Sequence, residues 1–273
     1  MGRGSRIPTG PERTPALARV QDVPPPRPAG TGQRVAFDLE TTGTDPFRDV
    51  PVSYALVVHG AGAGPGRGGP TVDAGLIDPG VPIPAESTEI HHISDDMVAG
   101  APDLRTATEH VASALVGTWA GGGAVVGMNV SYDLTLLDSV LGRLGLDTLE
   151  DRAPGLGPVY DVLVIDRTFD RFRKGKRRLV DLCRHYGVDL DEGAAHDAAV
   201  DCVATLALLD AMLERYPELA ALAADAVSDR MRAWYRTWLG SFSDHRMRNG
   251  YDPVDDGQFE WPIHRPAGAA HGR

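Results

Sequence analysis

Apolar positions change period along this chain, and each change marks an element. Val35-Ala36-Phe37 runs straight into Asp38, which predicts a strand over 33–39, and similar runs predict strands over 52–59 and 71–77. From 104 to 119 the spacing is helical, and 124–127 (Ala-Val-Val-Gly) is again a short strand. Over 131–145, Leu134, Leu137, Val140 or Leu141, and Leu144 fall on one side of a helix. A short strand near Val159 and further helices follow. Three early strands and then alternating helices and strands predict an α/β fold, a mixed central sheet flanked by helices.

The punctuation supports this order. Gly60 to Pro70 reads as a glycine-rich hairpin loop between the second and third strands. Its Gly64-Pro65-Gly66-Arg67-Gly68-Gly69 is no dinucleotide fingerprint, because no helix follows. Residues 1–30 are rich in Pro, Gly and Arg without the apolar stretch of a signal peptide, and they read as a disordered tail. A main domain is expected over 31–215, with a helical extension and irregular tail over 216–273. In that extension 219–239 looks helical, and Trp234, Tyr235 and Trp238 are expected to pack on the main domain. Gln258-Phe259-Glu260-Trp261-Pro262 has the look of a linear docking motif for a sliding clamp or polymerase.

No apolar run approaches a membrane span. Two cysteines, Cys183 and Cys202, offer no disulfide framework and suit a reducing cytoplasm as core residues. The net charge of -11 argues against long nonspecific contact with a duplex. Arg171, Arg173, Lys174, Lys176, Arg177 and Arg178 are the local exception, either a phosphate-contacting run or a solvated helix start.

Candidate chemistry lies in three separated segments. Asp38 and Glu40 are two apart at the end of the first strand, so they aim to one face, and Thr41-Thr42-Gly43 follows as a turn where backbone can approach a ligand. Alone, such a pair is compatible with a solvated strand end. Asn129-Val130-Ser131-Tyr132-Asp133 opens the next helix, with Ser131 as its expected N-cap and Asp133 in its first turn, where it would also suit the helix dipole. In the third segment, Val200, Val203, Ala204, Ala207, Leu208 and Ala211 make an apolar stripe with Asp201 at its edge. A carboxylate at the rim of a buried face needs a partner, and a cation is the simplest. His196 lies about 140° from Asp201 on an ideal helix, so it is placed on the loop before that helix, leaning over the site.

Together, in this order and context, the three segments resemble the DEDD exonuclease superfamily, and a His five residues before the last Asp is similar to its DEDDh branch, nearest the epsilon-like proofreading subunits of bacterial DNA polymerase III. The resemblance spans roughly Gln33 to Leu213. It implies a ribonuclease-H-like fold and stepwise hydrolysis of nucleic acid from the 3′ end. It further implies that Asp38, Glu40, Asp133 and Asp201 hold two Mg²⁺ or Mn²⁺ ions about 4 Å apart, with His196 as general base toward the attacking water. Thr41, Thr42 and Gly43 match the turn that meets the terminal sugar. His91 and Ile93, within Ile90-His91-His92-Ile93, match a segment contacting the terminal nucleotide, with His92 where glycine is common and the pocket correspondingly narrowed. Asn129 matches a positioning residue, whereas Met128 departs from the usual His.

The expected partners are single-stranded 3′ ends, DNA ahead of RNA, with a DNA polymerase or clamp as candidate protein partner. Two alternatives stay open: an exoribonuclease or oligoribonuclease-like enzyme using the same residues, and a noncatalytic polymerase accessory module. The full set of acids argues against the second.

Overall fold

The computed structural model describes residues 32–59, 70–190 and 197–266. The expected N-terminal tail, the tip of the glycine-rich loop and His196 lie outside these residues. Five strands form one sheet: β1 (Arg34–Thr41), β2 (Pro51–His59), β3 (Thr71–Leu76), β4 (Ala124–Gly127) and β5 (Val159–Asp161), in the order β3-β2-β1-β4-β5. The first three pair antiparallel, and β4 and β5 add parallel to β1. The mixed sheet read from the sequence is therefore present, with β1 at its centre, where Val35, Ala36 and Phe37 are buried on both sides.

Parallel strands need crossover helices, and these supply the covering layers. They are α3 (Leu104–Ala120), α4 (Val130–Arg143), α6 (Val162–Phe169), α7 (Leu179–Tyr186) and α8 (Ala198–Arg215). Two short helices not read from the sequence, α1 (Ala85–His91) and α2 (Asp95–Val98), sit beside a small cluster of Val52, Ile83, Ile93 and Val98. A single turn, α5 (Leu149–Arg152), precedes β5.

Helix α8 packs across β1 and β2, but not by the expected stripe. Val203 is 42% exposed, and Ala207 also faces solvent. The buried line is Ala198, Cys202, Thr205, Leu209 and Met212, joined by Ala204, Leu206 and Leu208. Apolar residues occur nearly all round this helix, so periodicity alone does not select the inward face. Cys183 and Cys202 are free and buried, as expected.

The C-terminal helix also differs from its expected bounds. After the short α9 (Pro217–Ala220), α10 runs Val227–Arg248. Val227, Met231, Tyr235 and Leu239 belong to the same core as the sheet. The chain then folds back: Trp261 and Ile263 are buried, and the carbonyls of Phe259 and Trp261 accept from Arg236 and Arg232. Gln258–Pro262 is thus pinned to α10 and not presented as a free linear motif, because its aromatic anchor is spent on the core. No helix among the described residues is long and apolar enough to cross a membrane.

Candidate active site

Strand parity and one irregularity aim the first acids. Asp38 and Glu40 lie two apart on β1 and keep partial exposure on one face. The β1–β2 register shifts between Glu40 and Thr41, so the strand is bulged where the chain leaves the sheet. Asp133 comes to them from α4, buried, with Oδ1 accepting from the Leu39 amide at 3.2 Å.

The start of α4 is held differently from expectation. Its N-cap is Asn129, left-handed at φ 57, and Ser131 lies inside the first turn, buried. Capping comes from another strand: Asp161, at the end of β5, accepts from the amides of Asn129 and Val130 at 3.1 Å each. The same carboxylate caps α6 through Leu163 and Val164. One buried acid therefore fixes two helix starts and sets where Asp133 projects.

Asp201 enters from the first turn of α8, whose N-cap, Asp197, accepts from Ala199 and Val200. The acids are close enough to repel. Enclosure by protein pushes Asp38 well above the carboxylate range, and Asp133, Glu40 and Asp201 push it further. Glu40 rises to about 7 through desolvation and the charges of Asp201 and Asp197. Asp133 is raised by burial and by Glu40 and Asp161, against the pull of the Leu39 amide.

Among the described residues, no three His, Cys, Asp or Glu side chains form a ready-made metal cage. Asp38, Glu40 and Asp133 stand as neighbours that repel, and the charges acting most on these three are other carboxylates. Hard oxygen donors crowded in this way suit a divalent cation.

A cavity of about 550 Å³ adjoins Glu40, lined also by Tyr54, His91, His92, Ile93 and Asp197. His91 is buried, and its Nδ1 accepts from the Ile93 amide at 3.0 Å, which leaves the neutral ring's proton on Nε2. Burial lowers its pKa, partly opposed by the Thr41 backbone. Ile93 divides its role, filling the small cluster beside Val52 as well as lining the cavity. His92 caps α1 in the left-handed region at φ 62. A glycine there is explained by backbone conformation before any pocket argument.

The turn after β1 is braced by its own side chains. Thr42 Oγ1 donates to Asp49 and accepts from the Val50 amide, and Ser87 Oγ donates to the Thr42 carbonyl. Gly43 is required by Asp49, since a Cβ there would sit 2.5 Å from its carboxylate. The glycine thus makes room for a neighbouring residue. Thr41 Oγ1 and the Tyr132 hydroxyl both donate to the Gly43 carbonyl, at 2.7 and 2.6 Å.

Sequence reasoning missed Tyr132, Asp161 and Asp197. The two aspartates each precede a helical run, a capping signal that was readable. Tyr132 gave none, because its partner lies far away in the chain. Asn129 is exposed, with no side-chain bond to its helix, and so is available to a ligand.

With four acids meeting at the end of β1, comparison with known proteins becomes decisive. The RNase_T exonuclease family profile matches residues 35–209. The chain belongs to this exonuclease family. Membership makes it a hydrolase of the DnaQ-like 3′–5′ class, a class that uses divalent metal ions.

The PolC-type DNA polymerase III of Lacticaseibacillus paracasei is 31% identical over 201 residues, 73% of this chain but 12% of that protein. The chain thus matches about an eighth of such a polymerase. The uncharacterized exonuclease CP81 of Escherichia phage 186 is 32% identical over 186 residues, 66% of this chain and 87% of that one. In fold, the chain is similar to E. coli Exonuclease I, solved in complex with a dA16 oligonucleotide, at a TM-score of 0.57 and 18% identity, covering 81% of this chain and 46% of that chain.

Proposed function

We propose that this exonuclease removes nucleotides one at a time from the 3′ end of single-stranded DNA, in proofreading or repair, with two Mg²⁺ or Mn²⁺ ions. The observation that carries the reading is the meeting of Asp38, Glu40, Asp133 and Asp201: burial, and then the charges of neighbouring acids, push Asp38, Glu40 and Asp133 above the carboxylate range. These four residues would hold the ions, which when bound orient the scissile phosphate and stabilise the charge developing on the attacking and leaving oxygens. Asp161 and the Leu39 amide keep Asp133 aimed. His91, Ile93 and the Thr41–Gly43 turn position the terminal nucleotide, and Asn129 lies exposed beside Asp133 to orient the strand. His196 accepts the proton of the attacking water, near neutral pH. The PolC likeness supports a polymerase or clamp as partner.

A gel time course tests this on 5′-labelled single-stranded DNA and the matched RNA, in Mg²⁺, Mn²⁺ or EDTA, with Asp38→Ala as control. A metal-dependent ladder shortening from the 3′ end of DNA, absent in the variant, is expected. Preference for RNA would move the assignment to an oligoribonuclease-like enzyme. No cleavage of either strand would leave a binding module.

A further inference from the structure

A second cavity, of about 370 Å³, lies between α6 and α10, lined chiefly by Arg167, Arg171, Arg177, Trp234 and Trp238. Its arginines are not equivalent. Arg177 is committed to Asp166 and to the carbonyls of Asp170, Arg171 and Arg173. The Arg167 guanidinium instead lies 3.5 Å from the centroid of the Trp238 ring, with no hydrogen-bond acceptor among the described residues. Burial draws its pKa down, offset in part by Asp161. A desolvated, planar fork of donors without an acceptor is suited to an oxyanion.

The surroundings extend this character. Arg171 leads from the cavity onto the loop between α6 and α7, where Phe172 is 88% exposed and the Arg171 guanidinium carbon lies 5.7 Å from its ring. Lys174 and Lys176 are exposed on the same loop. Twelve residues, Arg167 to Arg178, carry seven arginines or lysines and a single acid, Asp170, in a chain of net charge -11. Inside the cavity Trp234 meets Phe169 edge-on at 5.2 Å, and Trp238 stacks on Phe242 at 5.6 Å. Positive groups repeated along a loop and interleaved with rings fit a ligand that repeats anion and flat base. A lone carboxylate would use one fork and leave Phe172, Lys174 and Lys176 unexplained.

We propose that this cavity and loop form a second contact for a single nucleic-acid strand, separate from the acid cluster, with phosphates on Arg167, Arg171, Lys174 and Lys176 and bases against Phe172 and Trp234. The proposal rests on the nuclease reading for its ligand. Arg167 lies about 9 Å along α6 from Asp161, which holds the start of α4, and the proposal assigns the contact to nucleotides upstream of the reacting end. It raises affinity for long strands and leaves the smallest substrates untouched.

The test uses the full chain, wild type against Arg167→Gln and Phe172→Ala, the latter at a surface position that cannot disturb folding. Fluorescence anisotropy with labelled dT6 and dT20 in EDTA reads binding. Turnover of the p-nitrophenyl ester of thymidine 5′-monophosphate with Mn²⁺ reads chemistry apart from strand length. Each variant is expected to lose about 10-fold in dT20 affinity, the size of one stacking or phosphate contact, with dT6 binding and ester turnover unchanged. Wild-type dT20 affinity in both variants would overturn the proposal. So would an acidic peptide with a free terminal carboxylate that Arg167→Gln releases while dT20 binding holds, which would make the cavity a protein-docking site. Should the wild type fail to turn over the ester while the variants still lose dT20 affinity, the strand contact stands and the nuclease reading falls.

Discussion

Two groups of enclosed carboxylates in this molecule have opposite fates. Asp166, on α6, has no exposure and is surrounded by donors: Arg173 at 3.2 Å, Arg177, and the Tyr186 hydroxyl at 3.1 Å. Asp38, Glu40 and Asp133 are instead pushed up by burial and then by the charges of neighbouring acids, Asp201 among those acting on Asp38 and Glu40. In the first group the protein supplies the countercharge, and the acid serves architecture by tying the α6–α7 loop to α7. In the second, Asp38, Glu40 and Asp133 have no arginine or lysine partner among the described residues, and the proposed countercharge is a bound cation. Burial of acids alone therefore does not separate the two groups; among the described residues, the arginine partners of Asp166 do.

The largest contrast should appear on deleting one acid from each group. Asp38→Ala or Asp133→Asn should lower exonuclease turnover by about 10³-fold or more, equivalent to roughly 4 kcal/mol of barrier, while thermal unfolding without metal shows an unchanged or higher Tm because a repulsion is gone. Asp166→Ala should do the reverse, costing about 3–5 kcal/mol of stability by stranding Arg173 and Arg177, with turnover per folded molecule on a mononucleotide ester retained. Equal destabilisation by both substitutions in urea melts would erase the distinction.

A smaller effect follows from pH. Glu40 has a folded-state pKa of about 7 against 4.5 ordinarily, so its proton is held more tightly when folded. Its contribution to stability is complete below about 4.5 and is lost as pH rises through about 7, on the order of 3 kcal/mol in all. Asp38 and Asp133 shift in the same direction. Metal-free protein should thus melt lower at pH 8 than at pH 5, and Mn²⁺ should recover the loss, since an ion bound only by the folded state stabilises it. A flat melting profile over this range would contradict the repulsion.

Asp161→Asn sharpens the comparison at intermediate size. It removes a carboxylate satisfied by backbone amides and turns an amide donor toward one of them, which should cost about 1–3 kcal/mol. It should also lower turnover by releasing the start of α4, which differential scanning calorimetry paired with kinetics can separate. The smallest effect is expected at His92→Gly, which relieves a left-handed residue and should stabilise by about 1 kcal/mol, read as a small rise in Tm.

The elements that carry the acids were legible because their signals are local. Parity on a strand places Asp38 with Glu40, and a helix start places Asp133 in a first turn. The α8 stripe misled because apolar residues surround that helix, and only contact with β1 and β2 decides that Cys202 and Leu209 face inward while Val203 does not. The expected Ser131 cap failed for a related reason. Asp161, some thirty residues away, reaches the α4 amides first, and no local pattern reports a cap supplied by another strand. Likewise, the expected docking motif near Trp261 proved to be core, since its ring fills space under α10. The basic run divided: Arg173 and Arg177 turned inward to Asp166, leaving Arg171, Lys174 and Lys176 outward.

The most direct test of the central claim is a calorimetric Mn²⁺ titration of the folded chain at pH 7, repeated in buffers of different ionisation enthalpy to count released protons. The account predicts binding with proton release in the wild type and in Arg171→Gln, and its loss in Asp38→Ala and Asp133→Asn. Folded wild-type protein that takes up no Mn²⁺, or binds it equally well without Asp38, would show that these acids are not a cation site.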